Sequence, residues 1–280
     1  MGVSHAKDLR EERFIEFVGF LYEKHPECFE YCHCTWTEKY TGEDGVFAVL
    51  VRTLMWNEKE SKKVFENEFK AYQRVRSRFL DTDPESFDDW VNEIIHDIKF
   101  GADGEGAHRD NRHKQYTGRA IHEYLELMGD SQDRFLRSAN SFDTLFTNVK
   151  KIFSIGRLTA FDFLERLYRS KHKHISVYPL KYYRTGGGAE KGLMMIYPRL
   201  ENGELEKKGT ELLQRILDRT SINREIAFFE IESILCICQK RERCKDLEKM
   251  LSGEIATETF AESYARMNCL GQTKRRERCR

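Results

Sequence analysis

The chain has only 4 prolines in 280 residues, no long run of β-branched residues and no net charge. Each scarcity excludes something. Proline interrupts helices and β-branched residues favour strands, so the lack of both predicts an all-α protein. No apolar stretch reaches the roughly 18–20 residues that span a bilayer, so no membrane partner is expected. Residues 1–12 are charged and have no apolar segment behind them. That predicts no secretory leader and a cytoplasmic protein. The balance of 47 basic against 47 acidic residues excludes capture of a polyanion by global charge and leaves only a local patch for that task. Cysteine is present 8 times but without the paired C-x2-C spacing of a structural zinc site. Neither Cys28, Cys32 and Cys34 with His25 and His33, nor Cys236, Cys238 and Cys244, predicts a metal. In a chain without a leader these cysteines read as reduced thiols. No motif calls for a cofactor.

What is present is an uneven distribution of charge. Acidic residues gather between Asp81 and Asp97. From Lys150 to Lys191 there are ten Lys or Arg, eleven cations when His172 is protonated, against Asp162, Glu165 and Glu190. This basic stretch opens on Lys150-Lys151-Ile152-Phe153-Ser154-Ile155-Gly156-Arg157-Leu158-Thr159-Ala160. Upstream, Phe142, Leu145, Phe146, Val149 and Ile152 recur at helical spacing, and downstream Leu158, Phe161, Leu164 and Tyr168 do the same. Two helices, 141–152 and 157–169, joined by a turn this short form a helix-hairpin-helix. The free amides that open the second helix suit a phosphate oxygen. Gly156 removes a side chain where a phosphate would approach. Lys150, Lys151, Ser154, Gly156, Arg157 and Thr159 are the candidate DNA contacts. The same pattern also fits a plain helix–turn–helix corner.

Elsewhere the periodicity predicts helices almost throughout. Residues 8–24 carry Phe14, Phe17, Val18 and Leu21 on one face. A buried helix over 46–56, a long amphipathic helix over 57–80 and a helix from Asp83-Pro84 to about Phe100 follow. Residues 101–117 read as a polar loop, 118–128 and 131–139 as short helices, and 171–188 as helix-poor. Helices resume at 189–197, 207–219 and 222–240. The chain divides on this reading into an N-terminal helical region (1–120), a core (121–250) and a C-terminal segment with a basic tail (251–280).

Two further constellations carry charge in a chemically useful order. Tyr182-Tyr183-Arg184-Thr185-Gly186-Gly187-Gly188-Ala189-Glu190-Lys191 runs three glycines into a helix start, flanked by two cations. Such a turn exposes amides to an anion, though the G-x4-G-K-[ST] spacing of a Walker loop is missing. It also fits a flexible surface loop. On the helix over 222–240, Glu232, Cys236 and Lys240 fall on one face at spacing four. That face reads either as an active face or as a solvated, salt-bridged one.

The hairpin Phe153 to Ala160 resembles that of helix-hairpin-helix DNA glycosylases, which implies a glycosylase-like helical bundle. The departures from that pattern argue against base excision. Ser154 replaces the first hairpin glycine, Leu158 stands where bifunctional members carry a Schiff-base lysine, and no Asp lies between Asp162 and Asp218, where the catalytic aspartate would fall near Ser176. A narrower resemblance covers 141–240. Thr185-Gly186-Gly187-Gly188-Ala189-x-Lys191-Gly192 and Glu232-x3-Cys236-x3-Lys240 look like the α-glutamyl/putrescinyl-thymine pyrophosphorylase group, associated with amino acid:DNA transfer. That resemblance implies an amino acid or polyamine transferred to an activated, phosphorylated or pyrophosphorylated 5-hydroxymethyluracil base in DNA. Glu232 and Lys191 would then be catalytic. Arg184, Thr185, Gly186, Gly187, Gly188 and Lys240 would bind the substrate and its phosphate. A glycosylase or damaged-base recognition protein, and a noncatalytic DNA-binding protein, are the alternatives.

Overall fold

The computed structural model describes residues 2–29, 36–100, 111–152, 155–238 and 241–268. Among these residues all regular structure is helical, as expected. The chain forms two compact units: residues 33–177, and residues 1–32 together with 178–280. The divisions expected at 120 and 250 fall inside helices α6 (Thr117–Met128) and α13 (Arg241–Ser252).

The unit of residues 33–177 is built on α2 (Gly42–Met55), nearly all of whose side chains from Val46 to Met55 are buried. Glu43, at its start, accepts from the Ser131 hydroxyl at 2.7 Å and from the amides of Gln132 and Asp133 at 3.1 and 3.2 Å. These amides open α7 (Gln132–Ser138), whose dipole favours the carboxylate. The long helix expected over 57–80 is broken. It comprises α3 (Glu58–Lys63), a π-helical turn (Val64–Phe69) and α4 (Tyr72–Asp81). The break lies at Lys70, whose φ is +64°. Asp44 stabilises the restart by accepting from the Tyr72 amide at 2.7 Å. Amphipathic spacing ran through this point because both segments bury the same side, Val64, Phe65 and Phe69 before it and Tyr72 and Val75 after it. Helix α5 (Pro84–Ile95) starts at the expected Asp83 cap, which accepts from Ser86, and stops five residues short of Phe100. It packs on α6, where Gly118 comes so close to Asp88 that a Cβ would lie 2.6 Å from the Asp88 carbonyl oxygen. Helices α8 (Phe142–Val149) and α9 (Arg157–Arg169) complete this unit.

The other unit wraps α1 (Gly2–Lys24) with α10 (Gly187–Ile196), α11 (Leu205–Arg219), α13 and α14 (Thr257–Asn268). The expected face of α1 is fully buried at Phe14, Phe17, Val18 and Leu21. Phe17 meets Phe260 and Tyr264 of α14, with ring centres 4.9 and 5.6 Å apart. Arg10 donates to the Met195 carbonyl, the open end of α10, and to Glu248 of α13. Helix α12 (Arg224–Cys238) packs against α10, α11 and α13.

Candidate functional site

Residues 182–185 lie against α12 without regular secondary structure before the glycine turn. The Tyr182 amide donates to Thr210 Oγ1 at 3.0 Å. Its ring lies on Gly209 of α11, where a Cβ would meet the ring 2.3 Å away, so only glycine admits it. The Tyr182 and Tyr183 rings stand edge-on to Phe228 of α12, at 5.8 and 5.6 Å between ring centres. The chain then enters α10 at Gly186, in extended backbone and with no side chain capping the helix. Gly187 is exposed, and a methyl group there would meet nothing within 4 Å. Lys191 is exposed on the same helix.

Glu232 lies beside this turn. The Thr185 hydroxyl donates to Glu232 Oε1 at 2.5 Å, and the two residues are only 2% and 5% exposed. Glu232 therefore sits inside the unit, not on an open face. The reason is that α12 is covered on several sides, and its Glu230 is buried too. Cys236 is half-buried, and Lys240 lies outside the described residues. Arg184 is not a free cation. Its Nε and Nη2 donate to the two carboxylate oxygens of Glu190 at 3.0 and 3.1 Å, which raises the guanidinium pKa further. One polar group here was not singled out from the sequence. The Tyr182 hydroxyl is buried without a hydrogen-bond partner. Burial, then the carboxylates of Glu232 and Glu190, push its pKa well above the ordinary phenol value. Its only sequence signal was its place at the head of the glycine constellation; helical aromatic spacing pointed to core.

In the hairpin, α9 matches its expected limits and α8 ends at Val149, three residues early. Ile152 and Ile155 anchor the connection in the core. Lys150, Lys151 and Arg157 are exposed, whereas Thr159 is buried at 8% exposure and does not present a hydroxyl to a backbone phosphate. Gly156 caps α9 at φ −69°, with open space where a Cβ would stand, so its backbone angle does not require glycine. Ser154 lies outside the described residues. Lys151 and Ile152 also line a depression of about 440 Å³ whose other wall is Glu123, Glu126 and Leu127 of α6. Two carboxylates therefore face Lys151 across this depression, Glu123 paired with Arg119 and Glu126 beside His122.

Residues 31–245 match the profile of the amino acid:DNA transferase family, well over half of the chain. The chain belongs to the amino acid:DNA transferase family. No curated protein and no solved structure matches it. It is therefore an enzyme that modifies DNA, with DNA and an amino acid as its substrates. The span matched in the transferase takes in the hairpin, the glycine turn and α12. No helix in the described residues is long and apolar enough to cross a membrane.

The transferase's cysteines need one correction. Cys28 is disulfide-bonded rather than a reduced thiol; composition alone does not say which sulfurs the chain brings face to face. Cys236, Cys238 and Cys244 are free thiols, and burial pushes Cys238 up and keeps it protonated. Among the described residues no group of three His, Cys, Asp or Glu is placed to hold a metal ion. The chemical capacity around α10 is of two kinds. The uncapped amides and exposed Lys191 are donors, and Glu232, which accepts from Thr185, is a buried acceptor.

Proposed function

We propose that this amino acid:DNA transferase attaches an amino acid, or a polyamine in its place, to an activated 5-hydroxymethyluracil base in DNA. The observation that carries the proposal is the Thr185–Glu232 hydrogen bond, which brings a buried carboxylate to the uncapped start of α10. The amine nitrogen attacks the base methylene carbon. The carbon–oxygen bond to phosphate or pyrophosphate breaks, and its electron pair leaves on the phosphate oxygen. Glu232 takes the proton that the amine sheds. The amides of Gly187 and Gly188, with Lys191 and Arg184, stabilise the departing charge. Lys240 is assigned to the carboxylate of the amino acid. The base is extruded from the duplex, with the α8–α9 hairpin acting as a glycosylase-like clamp on the backbone through Lys150, Lys151 and Arg157.

The test is mass spectrometry of nucleosides after incubating the transferase with DNA containing phosphorylated or pyrophosphorylated 5-hydroxymethyluracil and a pool of amines. A new amine adduct on the activated base, absent with the unphosphorylated base, is the expected result. An adduct formed equally well on thymine or on unphosphorylated 5-hydroxymethyluracil would overturn the assignment of the leaving group.

A further inference from the structure

We infer that Leu180 is an apolar wedge that enters the DNA stack and fills the space left by the extruded base. The inference rests on the reading above that the base leaves the duplex, and adds the residue that holds the gap open. Leu180 is 69% exposed, the most exposed large apolar side chain among the described residues. Single exposed leucines are ordinary on a protein surface. Its mounting, its place in the chain and the charge around it set this one apart.

The chain bends at Leu180 and Lys181, and both are exposed. The residues on either side are buried: Pro179 before the bend and Tyr182 after it. Proline fixes its own φ. Tyr182 is tied down by its amide, which donates to Thr210, and by its ring, which lies on Gly209. Leu180 is thus held out into water between two anchors, one and two residues away. A side chain mounted this way loses little backbone freedom on entering DNA, whereas one on a floppy tip would lose much. The same segment runs on to the glycine turn, where Thr185 is bonded to Glu232. Six residues separate Leu180 from Gly186, a reach of at most about 22 Å. The bend and the uncapped start of α10 are therefore held in one register by contacts to α11 and α12.

Charge separates Leu180 from the comparable Leu80, which is 66% exposed. Leu80 nears the end of α4 and is followed by Asp81, Asp83 and Glu85, carboxylates that repel a phosphate backbone. Leu180 is followed by exposed Lys181, and no acidic residue occurs between Glu165 and Glu190. An aliphatic side chain has no donor or acceptor, so it reads no sequence. It supplies instead the contact that the neighbouring bases lose when one of them leaves the stack. The adjacent ammonium of Lys181 then meets a phosphate flanking the gap, a contact that positions without specifying.

The experiment uses the full chain and a duplex that carries phosphorylated 5-hydroxymethyluracil with 2-aminopurine as its neighbour, whose fluorescence rises when it unstacks. The parent is compared with Leu180→Ala and with Leu80→Ala as control. Fluorescence should rise with the parent and with Leu80→Ala, and the rise should be at least halved with Leu180→Ala at saturating protein. The ratio of transfer on duplex to transfer on the single strand should fall about tenfold in Leu180→Ala, because a single strand needs no wedge. The melting temperature of Leu180→Ala should match the parent's, since the side chain packs on little. An equal rise with parent and Leu180→Ala overturns the inference, as does an unchanged ratio, or adduct formation by the parent with no rise. A rise that depends on Leu180 without any amine adduct would refute the transfer chemistry proposed above and leave the wedge standing.

Discussion

Gly192 of α10 crosses α12 against the Leu235 carbonyl, so closely that a Cβ on Gly192 would lie 2.3 Å from that oxygen. The contact sets how far α10 slides along α12. It therefore sets whether Thr185, seven residues earlier, reaches Glu232, three residues earlier on its own helix. Gly192→Ala must push the helices apart, since the obstacle is backbone. Overpacking of this kind costs about 1–3 kcal/mol. We expect chemical denaturation to show that loss, with transfer activity falling further than the unfolded fraction explains. Unchanged stability would mean the crossing is loose.

Glu232→Gln removes the proton acceptor and keeps an oxygen for the Thr185 hydroxyl. Transfer should fall about 10²–10⁴-fold, the usual contribution of a general base. DNA affinity and melting temperature should stay at parent values. Joint loss of folding and activity would mark Glu232 as a packing residue.

Exposed Lys150, Lys151 and Arg157 should each release about one counterion when DNA binds. The triple alanine variant is expected to lower the slope of log affinity against log salt by about 2.7, at about 0.9 per lost phosphate contact. A slope equal to the parent's would make the hairpin purely structural.

Two buried groups give stability opposite pH dependences. Burial pushes Glu165 up to about 7 from an ordinary 4.5, against the pull of Arg169 at 3.0 Å and of Arg166, with Asp162 adding to the rise. Its contribution is present below pH 4.5 and is lost as pH rises toward 7. Burial, with His172 and Arg137 nearby, pulls His174 down to about 4 from 6.5. Its neutral form is the one the fold accepts, so its contribution is full above pH 6.5 and is lost as pH falls toward 4. The two slopes oppose each other across their shared range. Denaturation between pH 4.5 and 6.5 should show Glu165→Gln gaining stability with pH and His174→Gln losing it, relative to the parent. Identical profiles for the parent and both variants would refute the assignment.

Legibility in the sequence followed the physics of each element. Leu158, Phe161, Leu164 and Tyr168 define α9 because one stripe faces one core, and its limits were readable to the residue. The break at Lys70 was hidden because the apolar side is shared by the segments before and after it. The glycine turn and Glu232 were legible as separate motifs. That Glu232 is buried was not, because its burial comes from three helices packing on α12 and leaves no mark in local spacing. The engagement of Arg184 by Glu190 was hidden for a related reason. Six residues apart, they meet only because the chain turns at Gly186.

That ion pair changes what it means for an anion to arrive at α10. Arg184 already holds a carboxylate through two hydrogen bonds. Those two bonds use one hydrogen on Nε and one on Nη2, so an arriving phosphate oxygen would share the guanidinium with Glu190 rather than replace it. The tethered carboxylate would offset part of the positive charge such an anion meets, which would keep the grip weak enough for a released anion to depart.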